Sequence, residues 1–139
     1  MIDIKLLEQL CLCNGISGDE GNVRNLIINE IKDCADEIKT DNLGNLIVFK
    51  KGKKSAKSKL MVSAHMDEVG LMVTDITSDG YLKFDEVGGI DRRVLPGKRV
   101  CVGSNGLNGV IGVKPIHLTN GDEKTAVPKM NDMYLSLIH

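Results

Sequence analysis

Apolar side chains recur along the first forty residues with a period near that of an α-helix. Leu6, Leu7, Leu10 and Cys11 form one stripe within Asp3–Cys13, and Asn14-Gly15 supplies a C-terminal stop. A second stripe runs through Val23, Leu26, Ile27, Ile31, Cys34, Ala35 and Ile38, preceded by Ser17-Gly18-Asp19-Glu20. A serine followed three residues later by a glutamate is the pattern of a capping box, so the second helix is expected to begin with Ser17 as its N-cap.

The period then shortens. Ile38–Thr40 and Leu46–Phe49 flank Asp41-Asn42-Leu43-Gly44-Asn45, whose Asn and Gly residues accept the positive backbone angles of a tight turn; this predicts a hairpin. Leu60-Met61-Val62-Ser63-Ala64 is a nearly continuous apolar run of strand length, which predicts a central strand covered on both faces in an α/β sheet. Beyond Gly70 come the short β-type runs Leu71–Ile76, Tyr81–Phe84, Arg99–Val102 and Val110–Val113. Turn signals at Ser78-Asp79-Gly80, Val87-Gly88-Gly89, Pro96-Gly97 and Ser104-Asn105-Gly106 separate them, as in a small antiparallel barrel or sandwich. A domain boundary is therefore expected near Val69 or Gly70, with residues 1–69 as α/β and residues 70–139 as an incomplete β domain.

Composition narrows the function classes. In 139 residues there is no Trp and only two Tyr and two Phe, so the core must be aliphatic and Met-rich, and stacking on bases or sugars is poorly supplied. Eighteen basic against nineteen acidic residues, net charge −1, create no global field for a polyanion, and no nucleic-acid partner is expected. The lysines from Lys50 to Lys59 lack interleaved aromatics and read as a solvated loop. No stretch approaches the roughly 18 apolar residues of a membrane span, so no membrane partner and a cytoplasmic location are expected. Cys11, Cys13, Cys34 and Cys101 have no C-x-x-C spacing and read as reduced thiols rather than a zinc knuckle or disulfide framework.

The candidate chemistry lies at His65-Met66-Asp67-Glu68, immediately after the apolar run, at the strand end where open α/β sheets place ligands. On an extended chain residues i and i+2 share a face, so His65 and Asp67 can project together. An imidazole ligates Zn²⁺ or Co²⁺, and a carboxylate on its other ring N–H fixes the tautomer and raises its basicity. A catalytic zinc needs about three protein ligands, and this segment offers one or two. His117 and His139 have no ligand-like neighbours in sequence. A hydrogen-bonded surface pair is the plain alternative.

Other schemes find less support. Ser63 has no glycine-framed nucleophile elbow. The glycine-rich turns lack a phosphate-binding G-x-x-x-x-G-K-[ST] pattern. Asp85 and Glu86, adjacent on a strand, face opposite ways and read as solvated carboxylates.

Five segments in order carry a resemblance: Gly15-Ile16-Ser17-Gly18-Asp19-Glu20, Asp41-Asn42-Leu43-Gly44-Asn45, Ala64-His65-Met66-Asp67-Glu68-Val69-Gly70, Val87-Gly88-Gly89 and Leu95-Pro96-Gly97-Lys98-Arg99-Val100. From about residue 5 to Tyr134 the chain resembles the M42 metallo-aminopeptidases, the glutamyl and tetrahedral aminopeptidase group also labelled cellulase M. The resemblance implies a peptide-hydrolysing enzyme with two divalent metal ions, zinc or cobalt. Its α/β catalytic domain is interrupted by an inserted β-barrel domain used in homo-oligomers. It assigns His65 as a ligand of one metal and Asp67 as the residue orienting that histidine.

The family's bridging Asp, its Glu-Glu pair and its later ligands follow the inserted domain, and none matches here. After Tyr134 relatives carry an Asp-hydrophobic-Gly strand, where this sequence has Leu135-Ser136-Leu137-Ile138-His139. The expectation is a truncated, inactive form of the enzyme. The rival is a non-catalytic assembly module pairing through its β region, with Met133–Ile138 as an open edge strand. A related deacylase or sugar hydrolase is a third reading, and the paired carboxylates and aromatic platform of sugar cleavage are not evident.

Overall fold

A computed structural model of the chain describes residues 4–54, 58–115 and 126–137, arranged in two compact units, Met1–Glu68 and Val69–His139. His117 and His139 lie outside the described residues.

In the first unit helix α1 spans Ile4–Leu12 and helix α2 spans Gly21–Ile31. The α2 boundary differs from the capping-box expectation at both ends. Glu20, not Ser17, occupies the N-cap position, and no side chain caps the helix. The Glu20 carboxylate instead accepts the Gly18 N–H at 2.7 Å, closing a local turn that competes with a helical first turn. At the other end the helix stops at Ile31, because Ile38 belongs to a strand. Strands β1 (Glu37–Thr40) and β2 (Leu46–Phe49) form the expected antiparallel hairpin, with Thr40 opposite Leu46.

The hairpin turn is fixed by Asp41. Its carboxylate accepts the N–H groups of Leu43 and Asn45 at 3.0 and 2.8 Å and the Asn45 side-chain amide at 2.9 Å. Gly44 takes the positive φ of +87° that the turn demands. Arg24 of α2 donates to the Gly44 carbonyl at 2.8 Å, tying helix to hairpin.

Leu60–Ala64 is not a strand. The run forms no ladder, and Leu60, Met61 and Val62 are 86–91% exposed. A strand's backbone groups need partners on neighbouring strands, and no described strand pairs with this run. Composition suited it to a sheet interior, but the described residues contain no neighbours to make one.

The second unit is a curled antiparallel sheet of β3 (Gly70–Ile76), β4 (Leu82–Val87), β5 (Arg99–Val102), β6 (Leu107–Val113) and β7 (Met133–Leu137), in the order β3-β4-β7-β6-β5. Leu82, Phe84, Leu95, Ile111, Met130, Met133 and Leu135 build its core, with Met133 wholly buried. Among the described strands the sheet margins lie at β3 and β5. β7 therefore sits inside the sheet, pairing Leu135 with Leu82 of β4 and with Ile111 of β6. The expectation of an open edge at Met133–Ile138 is corrected over Met133–Leu137, where Met133 and Leu135 point into the core and β7 pairs with both β4 and β6; Ile138 lies outside the described residues.

Glycine makes the β6–β7 approach possible. A Cβ on Gly112 would stand 2.5 Å from the Tyr134 ring, and Tyr134 in turn packs edge-on against Tyr81 with centroids 5.0 Å apart.

Candidate functional site

The loop Gly15–Glu20 and the segment His65–Glu68 are brought together by one residue, Glu68. Its N–H donates to the Gly15 carbonyl at 2.8 Å and its carbonyl accepts the Ser17 N–H at 3.3 Å, making a parallel bridge between Ile16 and Glu68. Its carboxylate also accepts the Gly15 N–H at 3.1 Å. Gly15 is buried against α2 and has no room for a side chain, since a Cβ would lie 2.5 Å from Val23 Cγ2 and 3.3 Å from the Met66 carbonyl. The Gly-Ile-Ser segment thus works as a backbone seat for the polar segment that follows the apolar run.

On that seat His65 Nδ1 lies 3.2 Å from Asp67 Oδ1 and 3.1 Å from the Asp67 main-chain carbonyl. Two acceptors on one ring nitrogen favour the tautomer protonated at Nδ1 and leave Nε2 with its lone pair for a ligand. The side chains of His65 and Asp67 are 86% and 43% exposed, so the imidazole is accessible from solvent.

Both residues border an open cleft of about 660 Å³ within the first unit. Its polar border includes Glu20, Asp41, His65 and Asp67. Glu20 is held below the usual carboxylate range chiefly by the Gly18 N–H and then by its own N–H, while the charge of Asp67 acts in the opposite direction. Asp41 is lowered first by the Asn45 side-chain amide and then by the Asn45 N–H. Each of these two carboxylates is thus held ionised by local hydrogen bonds.

The described residues gather no group of three or more His, Cys, Asp or Glu side chains in metal-binding geometry. As a donor set they fit one corner of a metal site: a single accessible imidazole with its orienting carboxylate. Sequence reading identified His65 and Asp67 but gave Glu68 no role. The clamp joins residues 53 apart, and no local pattern announces a contact at that separation.

The M42 glutamyl aminopeptidase family profile matches residues 44–137. A relative in Acetivibrio thermocellus is 50% identical over 107 residues, 77% of this chain and 30% of the relative. The lysyl aminopeptidase of Pyrococcus furiosus is 40% identical over 121 residues, covering 85% of this chain and 34% of that enzyme. Among solved structures, a TET aminopeptidase from a Thaumarchaeota archaeon superposes with a TM-score of 0.87 at 32% identity, over 96% of this chain and 37% of its own. The Pyrococcus horikoshii TET1 peptidase, which can assemble into a tetrahedron or a large octahedral shell, gives 0.79 at 42% identity, over 96% and 40%. The chain thus spans roughly a third of the length of these relatives. With the profile covering most of the sequence and the fold shared at this level, the chain belongs to the M42 aminopeptidase family.

Proposed function

We propose that this chain contributes one side of a two-metal aminopeptidase site that removes N-terminal residues from peptides, and that the 139 residues alone do not turn over substrate. The observation that carries the reading is the His65–Asp67 contact at 3.2 Å within a chain of this family. His65 would hold one of two divalent ions, zinc or cobalt, through Nε2, while Asp67 fixes the ring and its tautomer as a positioning residue. When bound, such ions polarise a peptide carbonyl and lower the pKa of water towards neutrality. Glu68 holds the backbone of the segment, which limits how far His65 can stray.

One imidazole does not make a catalytic centre, since about three protein ligands and an open position are needed. The remaining donors would come from polypeptide equivalent to the two-thirds of the relatives that this chain does not span. Hydrolysis of aminoacyl-nitroanilides by the purified chain, with added Zn²⁺ or Co²⁺, tests the point. No turnover above the metal blank is expected, and robust turnover abolished by His65→Ala would refute inactivity.

The unit beginning at Val69 corresponds, in this reading, to an inserted oligomerisation domain, and the protein acts in the cytoplasm as a homo-oligomer. An assembly role without catalysis is supported by one observation. The margin strand β3 presents Met72, Val73 and Ile76 to solvent. Light scattering after size exclusion tests the assembly itself: a strict monomer at all concentrations removes the assembly role from both readings.

A further inference from the structure

The peptide unit that joins Asp67 to Glu68 is held at both edges. Its carbonyl oxygen lies 3.1 Å from His65 Nδ1, and its N–H donates to the Gly15 carbonyl at 2.8 Å. A peptide unit is planar with its C=O and N–H on opposite edges, so anchoring the N–H fixes the direction in which the carbonyl points. Asp67 Oδ1, 3.2 Å from the same ring nitrogen, is less constrained, because it turns about side-chain torsions and the Asp67 side chain is 43% exposed. The carbonyl turns only if the whole peptide does.

The anchor at Gly15 is firm. Glu68 grips the loop with three groups: its N–H on the Gly15 carbonyl, its carbonyl on the Ser17 N–H, and its carboxylate on the Gly15 N–H at 3.1 Å. Behind Gly15 stands Val23, the buried residue of α2, whose Cγ2 would lie 2.5 Å from an added Cβ. A continuous path therefore runs from helix α2 through Gly15 and the Asp67–Glu68 peptide to the imidazole.

We infer that Gly15 and Glu68 are positioning residues for His65, acting through the Asp67–Glu68 peptide to hold the ring protonated at Nδ1 and so leave Nε2 free for a divalent cation. The inference rests on the reading of His65 as a metal ligand and extends it. The imidazole has two orienting groups, the Asp67 carboxylate and a backbone carbonyl controlled from a loop 53 residues away. A carbonyl only accepts, so its contact selects the Nδ1-protonated ring independently of the carboxylate. The Gly15–Ser17 segment thereby acquires a role beyond that of a turn.

The test is nitrogen-15 NMR of the metal-free 139-residue chain at about pH 9, well above the ordinary histidine value. The His65 signals are assigned by their loss in His65→Ala. Glu68→Ala removes the acceptor for the Gly15 N–H and should lower the ratio of Nδ1- to Nε2-protonated ring by about two- to tenfold, the range set by loss of one hydrogen bond. Glu68→Gln keeps an oxygen that can accept from Gly15 and should restore the wild-type ratio. In Asp67→Ala the carbonyl remains, so adding Glu68→Ala should lower the ratio further.

An unchanged ratio in Glu68→Ala would overturn the inference. A ratio equally low in Glu68→Gln and Glu68→Ala would also overturn it, assigning the effect to the charge of Glu68. Where Glu68→Ala unfolds the first unit, the wild type decides through amide exchange: the Glu68 N–H should exchange about tenfold or more below the unprotected rate, and unprotected exchange refutes the anchor. Because the ratio is read without metal or turnover, the two readings fail separately. Hydrolysis by the chain alone would refute its inactivity and leave the relay standing, whereas an unshifted ratio removes the relay and leaves His65 as a ligand oriented by Asp67.

Discussion

Replacing Met133 by alanine tests whether β7 drives its alternate side chains into the core of the second unit. Met133 has no exposed surface and packs among Leu82, Phe84, Ile111 and Leu135 in the core of the second unit. Truncating a fully buried Met removes its transfer free energy and leaves a cavity, together costing about 2–5 kcal/mol. A unit of this size has a total stability of only about 4–10 kcal/mol, so the loss is a large share. At a solvent-exposed position the same change would cost under about 0.5 kcal/mol.

The chain supplies its own probe for this measurement. It has no Trp, and its two tyrosines, Tyr81 and Tyr134, both belong to the second unit, where they contact each other. Tyrosine fluorescence in a urea titration therefore reports that unit. With a slope of about 1.5 kcal/mol per molar urea, a loss of about 3 kcal/mol moves the midpoint down by about 2 M. Met133→Leu, which nearly conserves volume, should cost less than about 1.5 kcal/mol. Equal midpoints for the alanine variant and wild type would refute the burial of Met133 in that core.

Gly112→Ala should destabilise the same unit by about 1–3 kcal/mol, because its Cβ would overlap the Tyr134 ring, and the urea midpoint reads the loss. Asp91, which accepts from the Arg93 side chain and N–H, is lowered to about 2, the side-chain contact being the larger cause. Its folded pKa lies below the unfolded one, so its contribution is present above about pH 4 and is lost as the pH falls towards 2. Asp91→Asn should flatten the thermal midpoint of the second unit over that window, and an unchanged slope would count against the pairing. At His65, nitrogen-15 shifts should report mainly the Nδ1-protonated tautomer in the neutral form. Asp67→Ala should reduce that fraction, and indifference to the substitution would remove Asp67 as the orienting group.

The hairpin and the β region were legible because their signals are local. Asp41-Asn42-Leu43-Gly44-Asn45 carries its own turn chemistry, and the strands from β3 to β6 are bounded by Gly-containing turns within a few residues. The α2 start was misplaced for an equally local reason: two acceptor arrangements were open to Ser17-Gly18-Asp19-Glu20, and the one in which Glu20 accepts from Gly18 prevails. β7 was misjudged as an edge because strand order is a long-range property. Nothing near Met133 in sequence reveals that β4 and β6 flank it.

The site divides along the same line. His65 and Asp67 are two residues apart, so their shared face follows from backbone geometry even though the segment forms no strand. Glu68 and Gly15, 53 residues apart, meet only in the fold. Leu60–Ala64 is the case in which pattern and structure differ and both carry information. Its composition specifies burial on two faces, and its exposure locates the surface at which that burial is unfulfilled. Composition suited to a strand covered on both faces and the exposure of Leu60, Met61 and Val62 meet in one segment because the described residues hold no strand beside it.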